Sequence, residues 1–225
     1  NNPGNANWGP QVKALLVYNS NPLAVAPQSG RVAQGFARED LFTVVMEHFQ
    51  TDTADYADYV LPATTQLEHW DVQGSYGHTD LLLNRPAIEP VGEAKSNSEI
   101  FRLLAQAMGY TEPCFTEDDV SLCRTAVGAE VDFEALLANG FVSMKVADAP
   151  FAEGGFATPS GRCEFVSDRL AVQGLDPLPN HIPNYEVPAA GDRYPLAMIS
   201  PPARNFLNSS FVNVESLRDI EKEPL

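Results

Sequence analysis

The stretch VKALLVYNSNP, residues 12–22, decides the fold of this chain. Its first seven residues form a nearly continuous apolar run, which is typical of a strand buried on both faces of a parallel sheet. The Asn, Ser and Pro residues at positions 19–22 predict a turn at the carboxyl end of that strand. A second apolar run, LFTVVM at residues 41–46, follows a modest helix predicted over residues 29–39. The pattern therefore predicts a βαβ unit, whose ligands bind beyond the carboxyl ends of the strands.

Further elements follow along the chain. A third short strand is predicted over residues 58–62, where a proline ends it. Residues 68–78 are polar and contain glycine, and they predict irregular structure rather than a core element. A helix over residues 97–108 begins with a capping box formed by Ser96 and Glu99. Two short helices are predicted in an acidic stretch, at residues 118–126 and 133–139. A proline-rich linker is predicted over residues 176–192 and a final strand over residues 194–200.

The composition excludes several classes of protein. The 225 residues contain 14 Lys and Arg against 30 Asp and Glu, and the net charge of −16 argues against a general grip on nucleic acid or an anionic membrane. No apolar run reaches the ~20 residues of a membrane span. The three cysteines, Cys114, Cys123 and Cys163, lack C-x-x-C spacing, so a zinc or iron–sulfur site within this chain is not expected. The sequence starts at Asn1 and stops shortly after an apparent structured segment, so we expect a fragment of a longer protein.

The residue pattern gives little support for a catalytic or metal-binding motif. Ser75, His78 and Asp80 are close in sequence, but no nucleophile elbow surrounds the serine, so coincidence is the better interpretation. The four histidines match no metal-binding spacing. Neither a G-x-G-x-x-G fingerprint nor a P-loop motif is present. The chain is therefore not a standard dinucleotide-binding or P-loop protein.

A more specific pattern is an Asn-rich turn after one buried strand and a carboxylate, Glu47, after the next. Amide and carboxylate groups recognise the edges of guanine and adenine, and a carboxylate accepts from the N1–H and exocyclic amine of guanine. Two interpretations stay open at this point. The groups form a nucleotide-base site, or Asn19 and Asn21 are turn residues and Glu47 is solvated.

Several segments, taken in order, resemble the molybdopterin oxidoreductase family of the dimethyl-sulfoxide-reductase type. The resemblance covers almost the whole chain, and a collinear set of segments is more specific than any single motif. The segments are VYNSNP (17–22), FTVVMEHFQTDTA (42–54), YADYVLPAT (56–64), EH (68–69), GEAKSN (92–97), TPSGRCEF (158–165), YPL (194–196) and NFLNSSF (205–211).

The resemblance implies an α/β fold: a Rossmann-like three-layer parallel-sheet domain, followed by a linker and the start of a β-barrel domain. Residues 1–110 would form a cofactor-binding segment similar to the third domain of the family. Residues 111–193 would form an acidic helical and proline-rich connector. Residues 194–225 would begin the C-terminal barrel that binds the molybdopterin dinucleotide.

The resemblance also implies a bis(molybdopterin guanine dinucleotide) molybdenum cofactor. His69 falls where relatives often have lysine, and Asn97 falls where they often have aspartate. In the family the molybdenum ligand, and any [4Fe–4S] cluster, lie upstream of the matched region, so no metal ligand and no catalytic residue is assigned here. The predicted cofactor-binding residues are Asn19, Ser20, Asn21, Met46, Glu47, Thr51, His69 and Asn97.

The chemistry implied is two-electron redox at molybdenum, often with oxygen-atom transfer, on a small-molecule or inorganic substrate. The implied partners are the rest of its own polypeptide and an electron-transfer subunit, with no nucleic acid and no membrane insertion. The cytoplasm is the expected compartment, or the periplasm if an upstream signal directs export. Two alternatives stay open: a plain α/β binding module, and a non-catalytic structural relative such as the large peripheral subunit of respiratory complex I. The Asn19–Pro22 and Glu47–Ala54 loops argue against the complex I relative.

Overall fold

A computed structural model describes residues 9–182 and 191–221 of the chain. The chain divides into a smaller compact unit, residues 145–201, and a larger one made of residues 1–144 and 202–225. The three-part division expected from the family resemblance stays a prediction. The larger unit contains two three-stranded sheets, one parallel and one antiparallel.

The parallel sheet has the strand order β1-β2-β3, and it confirms the predicted α/β fold class. The chain crosses from β1 to β2 through two short helices, α1 and α2, and from β2 to β3 through a single 3₁₀ turn. In the register of the sheet, Val17 of β1 lies beside Val45 of β2, which lies beside Val60 of β3. The bounds are Ala14–Tyr18 for β1, Pro22–Val25 for α1, Ser29–Phe36 for α2, Phe42–Glu47 for β2, Ala54–Tyr56 for the turn and Tyr59–Pro62 for β3.

The two faces of the parallel sheet differ in burial. On one face Val17, Val45 and Ala54 form a buried cluster, against which α2 packs the ring of Phe36. On the opposite face four large apolar side chains are 39–62% exposed: Leu16, Tyr18, Phe42 and Tyr59. Met46 lies on the same face and is only 2% exposed, so the described residues of this chain cover that face in part.

The antiparallel sheet was not predicted from the sequence. Its strands are β4 (Asp71–Gln73), β5 (Asp80–Asn84) and β6 (Phe141–Ser143), in the order β4-β5-β6. The expectation that residues 68–78 are wholly irregular is wrong, because β4 pairs with β5 across residues 74–79. Helices α4 (Asp119–Val127) and α5 (Phe133–Asn139) supply buried residues to a core shared with this sheet. That core contains Leu83, Cys123, Val131, Phe133 and Leu136.

The helix predictions are confirmed, and side-chain caps mark the starts of α3, α4 and α5. Helix α3 spans Asn97–Ala107, and the Ser96 hydroxyl accepts a hydrogen bond from the amide of Glu99 at 3.2 Å. The carboxylates of Asp118 and Asp132 cap α4 and α5 in the same way, each satisfying an amide of the first turn. Gly140 ends α5 with a φ of 81°, a conformation that glycine adopts without steric cost.

The smaller unit has little regular structure. It contains helix α6 (Asp168–Val172), and none of its described residues is buried. The predicted strand over residues 194–200 is wrong: these residues pair with no strand in the described part of the chain, and Leu196 and Met198 are 87% and 89% exposed. A strand needs a neighbour for its backbone groups, which apolar residues alone do not supply. The expected start of a barrel is therefore not confirmed, and the predicted linker lies partly outside the described residues, at 183–190.

A last helix, α7 (Glu215–Ile220), belongs to the larger unit. Across residues 9–182 and 191–221, every helix is too short or too polar to cross a bilayer.

Candidate functional site

A cavity of about 540 Å³ lies at the carboxyl ends of the parallel strands. Ligands of open α/β sheets bind at this edge, and small-molecule sites usually measure ~300–1,000 Å³. The wall is formed by the end of β1, the loops after β2 and β3, and the first turn of α3. Its polar residues are Asn19, His48, Thr64, Gln66, His69, Asp71, Ser96, Asn97 and Ser98, and its aromatic residues are Tyr18, Trp70 and Phe101.

Two asparagines from distant parts of the sequence meet at this wall. Asn19 follows β1 with a φ of 51°, in the left-handed region that Asn tolerates better than most residues. The Nδ2 of Asn97, the first residue of α3, donates to the Oδ1 of Asn19 at 3.0 Å. The Oδ1 of Asn97 is buried and has no hydrogen-bond partner within the described residues. Because a buried acceptor without a donor is unfavourable, this oxygen is a candidate contact for a ligand N–H.

Two histidines of the wall are held by one threonine. Thr64 lies two residues after the end of β3 and is only 3% exposed. Its carbonyl oxygen lies 2.9 Å from the Nε2 of His48, and its hydroxyl lies 2.9 Å from the Nδ1 of His69. The backbone amide of Thr64 donates to the carbonyl oxygen of Lys95 at 3.1 Å. The threonine thus joins the loop after β2, the loop after β3 and the segment before α3.

Glu68 stabilises the loop after β3 through hydrogen bonds to its carboxylate. Its carboxylate is buried and accepts from the amide and hydroxyl of Thr65, at 2.6 and 2.7 Å, and from the amide of Val91 at 2.6 Å. The hydrogen bond from the Thr65 hydroxyl, followed by those from the two amides, lowers the pKa of Glu68 below its ordinary value. Glu68 therefore stays ionised and ties the loop after β3 to the chain that leads into α3.

The start of α3 is fixed by a carboxylate from α4. Asp119 accepts from the hydroxyl of Ser98 at 2.6 Å, from that of Ser96 at 3.2 Å and from the guanidinium of Arg102 at 2.7 Å. Phe101, one turn into the helix, packs its ring edge-on against Tyr18 with centroids 5.3 Å apart. The first turn of α3 is thus held beside β1 independently of any ligand.

Three of the eight predicted cofactor-binding residues line the cavity: Asn19, His69 and Asn97. Each lies on a different segment, so the fold brings together positions that are 78 residues apart at the most.

The other five predicted residues lie outside the cavity wall. The Oδ1 of Asn21 accepts from the amide and hydroxyl of Thr53, at 3.2 and 2.7 Å, and so ties the two loops together. Met46 is buried in β2, and the hydroxyl of Thr51 accepts from the amide of Ala54. Glu47 accepts from the next amide along the chain, and Ser20 is exposed. Their assignment to a cofactor stays a prediction.

Sequence reasoning missed Thr64, Tyr18 and Phe101. Thr64 could have been found, because it is the first polar residue after β3 and the carboxyl ends of parallel strands share one edge. Phe101 belongs to a helix with apolar residues at helical spacing, a pattern that does not by itself indicate a binding role. Among the described residues, no three His, Cys, Asp or Glu side chains are grouped to hold a metal ion.

The chain is similar to a known protein family and to several individual proteins. Residues 4–107 match the family model described as molybdopterin oxidoreductase. The chain is 40% identical over 222 residues to the probable oxidoreductase YoaE of Bacillus subtilis, covering 96% of this chain and 32% of that protein. It is 31% identical over 242 residues to the dimethyl sulfoxide/trimethylamine N-oxide reductase of Cereibacter sphaeroides, covering 94% of this chain and 29% of that one.

A solved structure, that of acetylene hydratase from Pelobacter acetylenicus, matches with a TM-score of 0.63 and 31% identity. The match covers 76% of this chain and 24% of the hydratase. The chain spans about a third of the length of the curated relatives it matches.

Proposed function

Because the chain belongs to the molybdopterin oxidoreductase family, we propose that its cavity holds the guanosine end of a molybdopterin guanine dinucleotide. The polypeptide that contains it would be a molybdenum-dependent oxidoreductase. The observation that carries the proposal is the buried, unpartnered Oδ1 of Asn97 in the wall of a cavity at the sheet edge where nucleotides bind.

The groups of the wall fit a guanine base. The N1–H and exocyclic amine of guanine are donors, which an unpartnered carboxamide oxygen such as that of Asn97 accepts. The aromatic rings of Tyr18, Trp70 and Phe101 provide flat apolar surfaces of the kind on which bases stack. The hydrogen bond from the Nδ2 of Asn97 to Asn19 fixes the orientation of the Asn97 carboxamide.

The charge of the wall favours the nucleoside over the phosphates. Among the described residues the wall contains no Lys or Arg, and the one carboxylate there, that of Asp71, repels an anion. The proposal therefore assigns the neutral guanosine to this cavity and the pyrophosphate to other groups.

When bound, the molybdenum cofactor would supply two-electron redox chemistry, often with oxygen-atom transfer. The residues of this chain would bind and orient the nucleotide end of the cofactor and exclude water from it. We propose a small-molecule or inorganic substrate, with the rest of the polypeptide and an electron-transfer subunit as partners.

Nucleoside binding tests the site directly. Titration of the ¹⁵N-labelled chain with guanosine should shift the side-chain amide signals of Asn19 and Asn97, and adenosine should shift them far less. Asn97→Ala should weaken guanosine binding about three- to tenfold, the effect of losing one hydrogen bond. Asn139→Ala, an exposed position at the end of α5, is the matched control and should bind like the original chain. Equal responses to the two nucleosides, or an unaffected Asn97→Ala, would overturn the assignment.

Cofactor content tests the wider proposal. The polypeptide that contains this sequence, purified from cells supplied with molybdate, should carry molybdenum and release a guanine nucleotide on denaturation. A preparation with neither would rule the proposal out.

A further inference from the structure

Thr64 decides which nitrogen atoms of two neighbouring histidines carry a proton. A carbonyl oxygen only accepts hydrogen bonds, so the contact between the Thr64 carbonyl and His48 requires a proton on the Nε2 of His48. The contact with His69 joins its Nδ1 to the Thr64 hydroxyl, and either of these two atoms is able to donate.

Burial resolves the choice at His69. The side chain of Thr64 is 3% exposed, and its hydroxyl has no second hydrogen-bond partner within the described residues. If the Nδ1 of His69 donated, the hydroxyl proton would be buried without an acceptor, which is unfavourable. The hydroxyl therefore donates to Nδ1, and neutral His69 keeps its proton on Nε2.

The Nε2–H of His69 is thus a donor without a protein partner in the described part of the chain, on a residue that lines the cavity. A donor of this kind suits an acceptor atom of the ligand. Because the described residues of the wall include no Lys or Arg but do include the carboxylate of Asp71, a neutral acceptor fits better than a phosphate oxygen. Guanine offers two such acceptors on one edge, O6 and N7.

We infer that Thr64 is a positioning residue that fixes His69 as an Nε2–H donor for an uncharged acceptor of the ligand, an inference that rests on the proposed nucleoside site. Asn97 and His69 then present an acceptor and a donor at the same wall, which complements the N1–H donor and the O6 acceptor of guanine.

Nitrogen NMR of the imidazole rings tests the inference without any ligand. In the chain at mildly alkaline pH, where imidazoles are neutral, His69 should show a bare Nδ1 and a protonated Nε2. The Thr64 hydroxyl proton should exchange slowly and show a nuclear Overhauser effect to the His69 ring. A proton on Nδ1 of His69 would overturn the inference.

Two substitutions at Thr64 separate positioning from packing. Thr64→Val removes the hydroxyl but keeps the backbone carbonyl, so the signals of His48 should stay unchanged while the His69 ring loses its fixed environment. Guanosine binding should weaken about three- to tenfold, and Thr64→Ser should restore both the ring signals and the affinity. Guanosine binding that is unaffected in Thr64→Val would overturn the inference.

Failure of the two proposals can be told apart. If the original chain does not bind guanosine, the proposed nucleoside site fails, and with it the role of His69 towards a ligand. If guanosine binds but the ring nitrogens show the opposite proton, only the role of Thr64 fails. If Thr64→Val does not fold, Thr64→Ser and the ring nitrogens of the original chain decide the outcome.

Discussion

The parallel and antiparallel sheets of the larger unit differ in how completely this chain covers them. Around the antiparallel sheet, α4 and α5 close a core in which Leu136 is 0% exposed. In the parallel sheet Val17 and Val45 are buried on one face, whereas Leu16 on the other face is 39% exposed. The polar cavity lies at the carboxyl ends of the parallel strands, and Trp70 and Asp71, at the start of β4 in the antiparallel sheet, also line it. The most closed core therefore lies around the antiparallel sheet, whereas most of the cavity wall comes from the parallel sheet and the first turn of α3.

The largest expected effect is a difference in the free energy of unfolding between two Leu→Ala variants, one in the core of the antiparallel sheet and one on the open face of the parallel sheet. Leu136→Ala should lower the free energy of unfolding by about 2–5 kcal/mol, because it leaves a cavity in a closed core. Leu16→Ala should lower it by about 1 kcal/mol or less, because the side chain is already partly in water. Urea unfolding followed by far-ultraviolet circular dichroism measures both values. Equal losses would show that the open face of the parallel sheet is covered in solution, and the comparison would fail.

A smaller effect is expected where the loops of the parallel sheet are tied together. Asn21→Ala leaves the amide and hydroxyl of Thr53, a residue that is 0% exposed, without their acceptor. The loss should be about 1–3 kcal/mol in the free energy of unfolding.

Asn21→Asp is the matched variant. An Asp carboxylate still accepts from Thr53, but it faces Asp52, whose carboxylate lies 3.4 Å from the Nδ2 of Asn21. Its stability in the same urea experiment should fall between those of Asn21→Ala and the original chain. An Asn21→Ala variant as stable as the original would show that Asn21 is not needed to join the loops.

The smallest expected effect is a pH-dependent change in stability that arises from Glu68. The folded-state pKa of Glu68 is lowered, so its stabilising contribution is present above the unfolded-state value of about 4.5 and is lost as the pH falls through the folded-state value. Glu68→Gln should therefore be less stable than the original chain at neutral pH, and the difference should shrink in acid.

Urea unfolding at the two pH values measures this change. Glu39→Gln, an exposed position with the same change in charge, is the control. If the difference between Glu68→Gln and the original chain is the same at both pH values, ionised Glu68 does not brace the loop.

Local patterns were sufficient for much of the fold. The apolar runs predicted β1 and β2, and the prediction over 133–139 matches α5 because Asp132 and Gly140 mark its two ends. Three predicted site residues, Asn19, His69 and Asn97, line one cavity, although their binding role stays a prediction.

The missed elements depend on contacts between distant residues. Strand β6 has only three residues, and its Phe141 pairs with Leu82 of β5. Such a strand has no periodicity of its own to detect. Residues 194–200 are the opposite case. Their composition is typical of a strand, but no strand lies beside them in the described residues, and they form none.

The sequence by itself determined the βαβ order, the helix ends and the edge of the sheet where the cavity lies, because side-chain periodicity and capping act within a few residues. Only the tertiary structure decided that Asn97 meets Asn19 and that Thr64 holds His48 and His69. Those contacts depend on the relative placement of β1, β3 and α3. That placement results from packing over the whole unit and leaves no local pattern in the residues themselves.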